Sequence, residues 1–324
     1  MAKYQVACLE AFTPEVVAEI RAQLPQDFEM LAAKTNSEEE MLALVRSADF
    51  ILFAGNARLT GEVMDAAPRL KLIQKWGIGV DKIDLRAAAD RAIPVAITAG
   101  SNAIPVAEHT VMLMLAVYRR LSYADRTVRQ GRWLRAEIRN FCYQMCGKTV
   151  GIVGFGNIGK QVAKRVSAFD AHVIYYDPIR PATEVEQRLG VEYRDLEQLF
   201  AQSDIVSLHL PLTPATRAFV DERLISMMKP TAILVNCSRG EVIDEPSLVG
   251  ALRSGRILGA GLDVFAAEPA EPGNPLFELD NVVVTPHSAG SVIDNVANVA
   301  RHAFANMVKV ANGDALSEAD LIRM

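Results

Sequence analysis

Four residues in the second half of this 324-residue chain are of types that move protons or hold anions: Arg239, Asp263, Glu268 and His287. Each stands at or just past the end of an apolar run. Arg239 follows AILVN in NCSRGEVIDE, Asp263 ends LGAGLD, Glu268 follows in GLDVFAAEP, and His287 follows NVVVT in TPHSAG. An unperturbed imidazole titrates near ~6.5, so it can give or take a proton at neutral pH. A carboxylate on the other ring nitrogen would orient it and favour its charged form. A guanidinium offers a planar fork that matches a carboxylate. Together these types suit proton transfer on a small anionic substrate, provided the fold brings them to one place. Singly, each has a plainer reading: a surface arginine, a solvated acid before Pro269, a turn histidine.

A second pattern supplies the partner chemistry. VGIVGFGNIGK places Gly154, Gly156 and Gly159 in G-x-G-x-x-G spacing, after an apolar strand pattern and at the start of a helical one. The first glycine permits a tight turn, the second lets the backbone approach a pyrophosphate, and the third allows close helix–strand packing. Asn157 and Ile158 would present free N–H groups to phosphate at the helix N-terminus. Asp177 ends the next strand pattern, roughly 20 residues beyond the glycines, where a carboxylate accepts from an adenosine ribose and repels a 2′-phosphate. NAD is therefore favoured over NADP, with Arg180 close enough to soften the preference.

The elements that must position these residues are legible as alternating strands and helices. In the first hundred residues strands are predicted at Tyr4 to Leu9, Phe28 to Ala33, Phe50 to Phe53, Leu70 to Trp76 and Pro94 to Thr98. Helices are predicted at Pro14 to Leu24, Thr60 to Ala66 and Asp84 to Arg91. Ser37 and Glu40 are spaced as a capping box for one more. Pro105 to Arg120 reads as a helix apolar on all sides, buried between domains or subunits. The alternation restarts at Thr149 to Val153 and Asn157 to Phe169. Further strands are expected at His172 to Tyr176, Ile205 to Leu208, Ala232 to Asn236, Leu258 to Asp263 and Val282 to Thr285. A last helix is expected over Ser291 to Ala311. Such alternation implies parallel sheets covered by helices on both faces, and the length implies two domains.

Composition narrows the function classes. With 34 Lys and Arg against 39 Asp and Glu, the net charge is −5, which is not the basic footprint of a nucleic-acid binder. Neither a secretory signal nor a membrane-spanning run is apparent, so no membrane partner is expected. The four cysteines form no disulfide framework and no zinc spacing; a reducing cytoplasm fits them, and no metal site is expected.

With these pieces in order, the chain resembles the D-isomer-specific 2-hydroxyacid dehydrogenase family over nearly its whole length. The matching segments are GVDKIDL, VAEHT, GFGNIG, HLPLTPATR, NCSRGEVIDE, GLDVFAAEP and TPHSAG. The resemblance implies an α/β protein of two doubly wound parallel-sheet domains. A Rossmann NAD-binding domain, 101–289, is inserted in a flavodoxin-like substrate domain of 1–100 plus 290–324. It implies a catalytic trio of Arg239, Glu268 and His287, acting on a small 2-keto or 2-hydroxy acid. It further implies cofactor contacts from Val106, Leu210, Pro211, Cys237, Ser238, Arg239, Asp263, His287 and Gly290. The backbone of Gly77, Ile78, Gly79 and Val80 would bind the substrate carboxylate, beside Arg239 and His287. His109, His172 and His302 read as structural.

Within the family, a glyoxylate or hydroxypyruvate reductase is the favoured reading. Phosphoglycerate dehydrogenases are the alternative, but Ala54 and Lys75 stand where those enzymes usually carry arginines, and the sequence ends at Met324 without their regulatory extension. An NADH-responsive co-repressor of the same fold is a further alternative, against which the intact trio argues. A homodimer through the NAD-binding domain is implied as well.

Overall fold

The computed structural model describes residues 3–323. The chain forms two compact units, Met1–Asn102 with Val292–Met324, and Ala103–Ser291.

The first unit carries β1 (Tyr4–Cys8), α1 (Pro14–Ala22), β2 (Phe28–Ala32), α2 (Glu38–Val45) and β3 (Phe50–Phe53). It continues through α3 (Gly61–Asp65), β4 (Leu72–Lys75), α4 (Leu85–Asp90) and β5 (Val95–Ala96), and includes a C-terminal helix, Val296–Asn312. The strands pair in parallel in the order β2-β1-β3-β4-β5. Side chains alternate along each strand, so both faces must be apolar for a sheet covered on both sides. Phe50 and Leu52 join Val6, Cys8 and Leu72 in one core, which the C-terminal helix covers with Ala300, Ala303, Phe304 and Met307. Ile51 and Phe53 join Ala7 and Ile73 in the other.

Asp84 and Thr60 cap α4 and α3 as their types suggest, accepting from the N–H of Ala87 and Val63. Ser37 likewise accepts from Glu40 N–H, but the reciprocal arm of the expected capping box is not formed. Glu40 reaches past Ser37 and accepts from the N–H groups of Lys34 and Thr35, because the chain before α2 turns back over the helix end.

The second unit begins with α5 (Ala103–Tyr118) and α6 (Leu121–Arg129). Next come β6 (Thr149–Val153), α7 (Asn157–Ser167), β7 (His172–Tyr176), α8 (Thr183–Leu189), β8 (Val191–Tyr193), α9 (Leu196–Gln202) and β9 (Ile205–Leu208). The unit is completed by α10 (Glu222–Met227), β10 (Ile233–Asn236), α11 (Glu245–Arg253), β11 (Gly259–Leu262) and β12 (Val282–Val284). Its seven strands are parallel in the order β12-β11-β10-β9-β6-β7-β8. The order reverses at β6, and the crevice at the C-terminal ends of β6 and β9 is where such sheets bind ligands.

Two expectations change here. The helix expected over Ser291 to Ala311 starts at Val296, after a short 3-10 turn at Ile293–Asn295. Helix α5 is not buried on all sides. Leu113, Met114 and Val117 are covered by its own unit, while Ile104 and Met112 lie exposed. Small residues on β11 make that seat: a Cβ at Gly259 or Gly261 would lie 3.0 Å from Val117 or Leu113 respectively. Among the described residues, no helix is long and apolar enough to cross a membrane.

Candidate active site

The glycine motif forms the turn from β6 into α7. Gly154 takes φ +94°, and a Cβ there would lie 2.5 Å from the carbonyl oxygen of His209. Gly159 packs so that a Cβ would lie 2.3 Å from the carbonyl oxygen of Gly154. Around Gly156, by contrast, a Cβ would meet nothing within 4 Å, which leaves the backbone open to an approaching pyrophosphate. Asn157 and Ile158 occupy the first turn of α7, where backbone N–H groups have no intrahelical acceptor. Asp177, just past β7, accepts from Phe155 N–H at 2.7 Å and from Ile179 N–H at 2.8 Å, which fixes it beside the glycine turn. An open backbone, free donors and a fixed acid at a strand-order reversal fit a dinucleotide.

Other residues expected around the cofactor fall on this unit. Leu210 is buried against Gly154, and Val106 and Cys237 are buried, whereas Pro211 and Gly290 are exposed and Ser238 is half-buried. His209, just past β9, places its Nε2 2.9 Å from Ser207 Oγ. Burial pushes that imidazole down to about 3, so it is neutral and no proton carrier at pH 7.

The trio assembles at the C-terminal ends of β10, β11 and β12. His287 Nδ1 lies 2.7 Å from Glu268 Oε2. Glu268 also accepts from Phe265 N–H at 3.2 Å. Burial acts to raise its pKa, but the hydrogen bond and charge of His287, the Phe265 N–H and the field of Arg239 outweigh it, and the carboxyl sits below its ordinary value. Glu268 is therefore an anion at neutral pH, and with His287 Nδ1 engaged, Nε2 is the nitrogen left for a substrate.

The backbone around these side chains is tightly specified. Asn236, fully buried at the end of β10, donates to Arg239 O at 2.8 Å and accepts from Ser238 N–H and Oγ. Gly240 follows Arg239, and a Cβ there would lie 1.9 Å from the carbonyl carbon of Phe265, so only glycine lets the Arg239 turn rest on the loop that carries Glu268. His287 has φ +51°, a left-handed conformation uncommon for a side-chain-bearing residue. Its N–H donates to Asp263 O at 2.7 Å. Asp263 Oδ1 accepts from Thr285 Oγ1 at 2.6 Å and Ser288 N–H at 2.9 Å, while Oδ2 accepts from Ala289 N–H at 2.9 Å. Asp263 thus holds the TPHSAG turn in place around His287.

Sequence reasoning missed Asn236, Gly240 and Thr285. Gly240 had a signal, since a glycine beside a functional residue marks close backbone approach. His109 is more than a residue satisfied by ordinary packing: its Nε2 lies 2.9 Å from Thr285 Oγ1, which ties α5 to the same turn.

In the first unit, the loop after β4 departs from expectation at one donor. Gly77 takes φ +101° and its N–H donates to Thr98 Oγ1 at 2.9 Å, so it is not open to a ligand. Among the described residues, none takes up the N–H groups of Ile78, Gly79 and Val80. Lys75 is buried and directs its ammonium to the carbonyls of Ala54 and Trp76. Trp76 packs on Phe12, ring centroids 5.6 Å apart.

Comparison with known proteins identifies the family of the chain. The model of the D-isomer specific 2-hydroxyacid dehydrogenase NAD-binding domain matches residues 111–289. A glyoxylate reductase of Thermofilum pendens is 43% identical over 281 residues, 86% of this chain and 83% of that protein. A D-3-phosphoglycerate dehydrogenase of Archaeoglobus fulgidus is 39% identical over 277 residues, again 86% of this chain but only 52% of that longer protein. The crystal structure of an NAD-dependent formate dehydrogenase from Staphylococcus aureus in complex with NAD superposes with a TM-score of 0.85 at 28% identity, over 99% of each chain. The dinucleotide turn, the doubly wound sheets and these matches place the chain in the D-isomer specific 2-hydroxyacid dehydrogenase family of NAD-dependent oxidoreductases.

Proposed function

We propose that this protein reduces a small 2-keto acid of the glyoxylate or hydroxypyruvate type to the corresponding 2-hydroxy acid, of D configuration where C2 is a stereocentre, with His287 as the proton donor. The observation that carries the reading is the Glu268–His287 pair, 2.7 Å apart and within the field of Arg239, on the sheet edge that also carries the dinucleotide turn. Bound NADH supplies the hydride that reaches C2. Arg239 holds the substrate carboxylate and polarises the keto oxygen. Protonated His287 releases its Nε2 proton to that oxygen as charge develops, and Glu268 keeps the imidazole oriented through Nδ1. The N–H groups of Ile78, Gly79 and Val80, which no described residue takes up, suit a carboxylate, and Asp263, fully buried, holds the turn that presents His287.

The preference for a small substrate rests on Lys75 and on the relatives. A phosphorylated substrate is a dianion and calls for several cations. Here Ala54 offers none, and the ammonium of Lys75 is directed to backbone carbonyls. Two of the similar curated proteins are named glyoxylate reductases. Free thiols at Cys8, Cys142, Cys146 and Cys237 support a reducing, cytoplasmic setting.

Steady-state rates with NADH and glyoxylate, hydroxypyruvate, pyruvate and phosphohydroxypyruvate test the reading. Glyoxylate or hydroxypyruvate is expected to give the highest kcat/KM. The highest value on phosphohydroxypyruvate would instead make this a phosphoglycerate dehydrogenase, and no turnover of any 2-keto acid would overturn the reading altogether. In the same assays His287→Gln should lose about 10²–10⁴-fold in kcat while binding NADH as the parent does.

A further inference from the structure

Asp177 and Arg180 stand three residues apart beside the adenosine end of the dinucleotide turn, and they pull in opposite directions. A carboxylate there favours an unmodified ribose, whereas a guanidinium would welcome a 2′-phosphate. The geometry separates them. Strand β7 lies between β6 and β8 in the sheet. Asp177 Oδ2 faces the β6 side, where it accepts from Phe155 N–H at 2.7 Å. Arg180 is drawn to the β8 side. Its Nη2 lies 2.9 Å from Glu186 Oε1 on α8, and its guanidinium carbon sits 4.6 Å over the ring of Tyr193 on β8.

Glu186 is itself fixed. It accepts from the hydroxyl of Tyr175, whose ring is fully buried and stacks on Phe155 with centroids 4.2 Å apart. The Glu186 side chain is only 13% exposed, while that of Arg180 is 56% exposed. The anchored member of the pair is thus the acid, and the arginine is the member it restrains. The carboxyl is held below its ordinary range by the Tyr175 and Arg180 hydrogen bonds, so it stays charged at neutral pH.

We propose that Glu186, braced by Tyr175 and aided by the face of Tyr193, sequesters Arg180 from the ribose site and thereby makes the protein selective for NAD(H) over NADP(H). Glu186 acts as a positioning residue, through the Arg180 guanidinium that it holds. The inference rests on the reading that the adenosine ribose lies at Asp177.

Dissociation constants of NADH and NADPH, measured by nicotinamide fluorescence without any substrate, test it independently of catalysis. The parent should bind NADH at least 100-fold more tightly than NADPH. Glu186→Gln keeps a partner for the Tyr175 hydroxyl and removes the charge that holds Arg180. It should tighten NADPH binding tenfold or more and leave NADH within about twofold. Tyr193→Leu, which leaves Glu186 in place, should give a smaller gain. Adding Arg180→Gln to Glu186→Gln should erase the gain, which a merely structural effect of position 186 would not do. If the NADPH-to-NADH ratio is the same in the parent and in both single variants, Glu186 is not a specificity residue. If the parent binds neither nucleotide, the dinucleotide reading falls, and this inference with it.

Discussion

His287 keeps 44% of its side chain exposed and its partner Glu268 keeps 25%. This pair is neither a surface ion pair, worth little, nor a sealed one, which would be shut off from substrate. Its geometry leaves one nitrogen outward and one committed. The depressed pKa of Glu268 gives a test with a definite sign. Its folded value lies below the unfolded one, so the ionised group stabilises the fold throughout the range above about pH 4.3. That contribution drains away as pH falls through the lower folded value. Glu268→Gln should therefore melt below the parent at about pH 5, by an offset that closes in more acidic solution. Losing a charge-assisted hydrogen bond of about 1.5–3 kcal/mol should also cost roughly 10–100-fold in kcat. Melting curves across pH and steady-state kinetics check both parts, and an offset that widens in acid would contradict the assignment.

At the level of elements, the reacting side chains depend on turns that follow three adjacent strands, β10, β11 and β12. Gly240→Ala would force a Cβ to within 1.9 Å of the Phe265 backbone, so the Arg239 turn must lift off the loop carrying Glu268. The expected outcome is a loss of about 1–3 kcal/mol in stability together with a raised KM, read by denaturant unfolding and kinetics. Unchanged values for both would show the contact to be slack. The strands were legible in the sequence because buried parallel strands are short apolar runs: His172–Tyr176 and Ile205–Leu208 fall where the pattern puts them. The glycine turn and the trio were legible because each sits where such a run stops. Less legible was whatever depends on a distant partner. Thr285 and His109 are 176 positions apart and share a hydrogen bond that no local periodicity encodes. Gly77 N–H pairs with Thr98, 21 positions further on, and is hidden for the same reason. Helix α5 read as wholly buried because composition reports apolar character, not which side a neighbouring glycine strand will seat.

For the molecule as a whole, we propose a homodimer assembled through the Ala103–Ser291 unit. Leu121 and Val128 on α6 are exposed, as are Ile104 and Met112 on α5, and Trp133 keeps 78% of its surface open, an apolar load that favours a covering partner. Light scattering at micromolar concentration should give twice the mass of one chain. Trp133→Asp should weaken that association, and a monomeric parent would rule the assembly out. The first unit has a separate peculiarity. Its core is completed by Ala300, Ala303, Phe304 and Met307 of the C-terminal helix, packed with Val6, Cys8 and Phe50 from the other end of the chain. The whole Ala103–Ser291 unit is made in between. At about 5–20 residues per second, a ribosome takes roughly 10–40 s to translate that stretch. For that interval one apolar face of the nascent N-terminal sheet is only partly covered, by Ile20, Val16 and Val17 of α1, while the later-born unit can close its own core first. The order of birth and the order of completion are thus reversed, and the newly made N-terminal sheet is the part of this chain most in need of a chaperone.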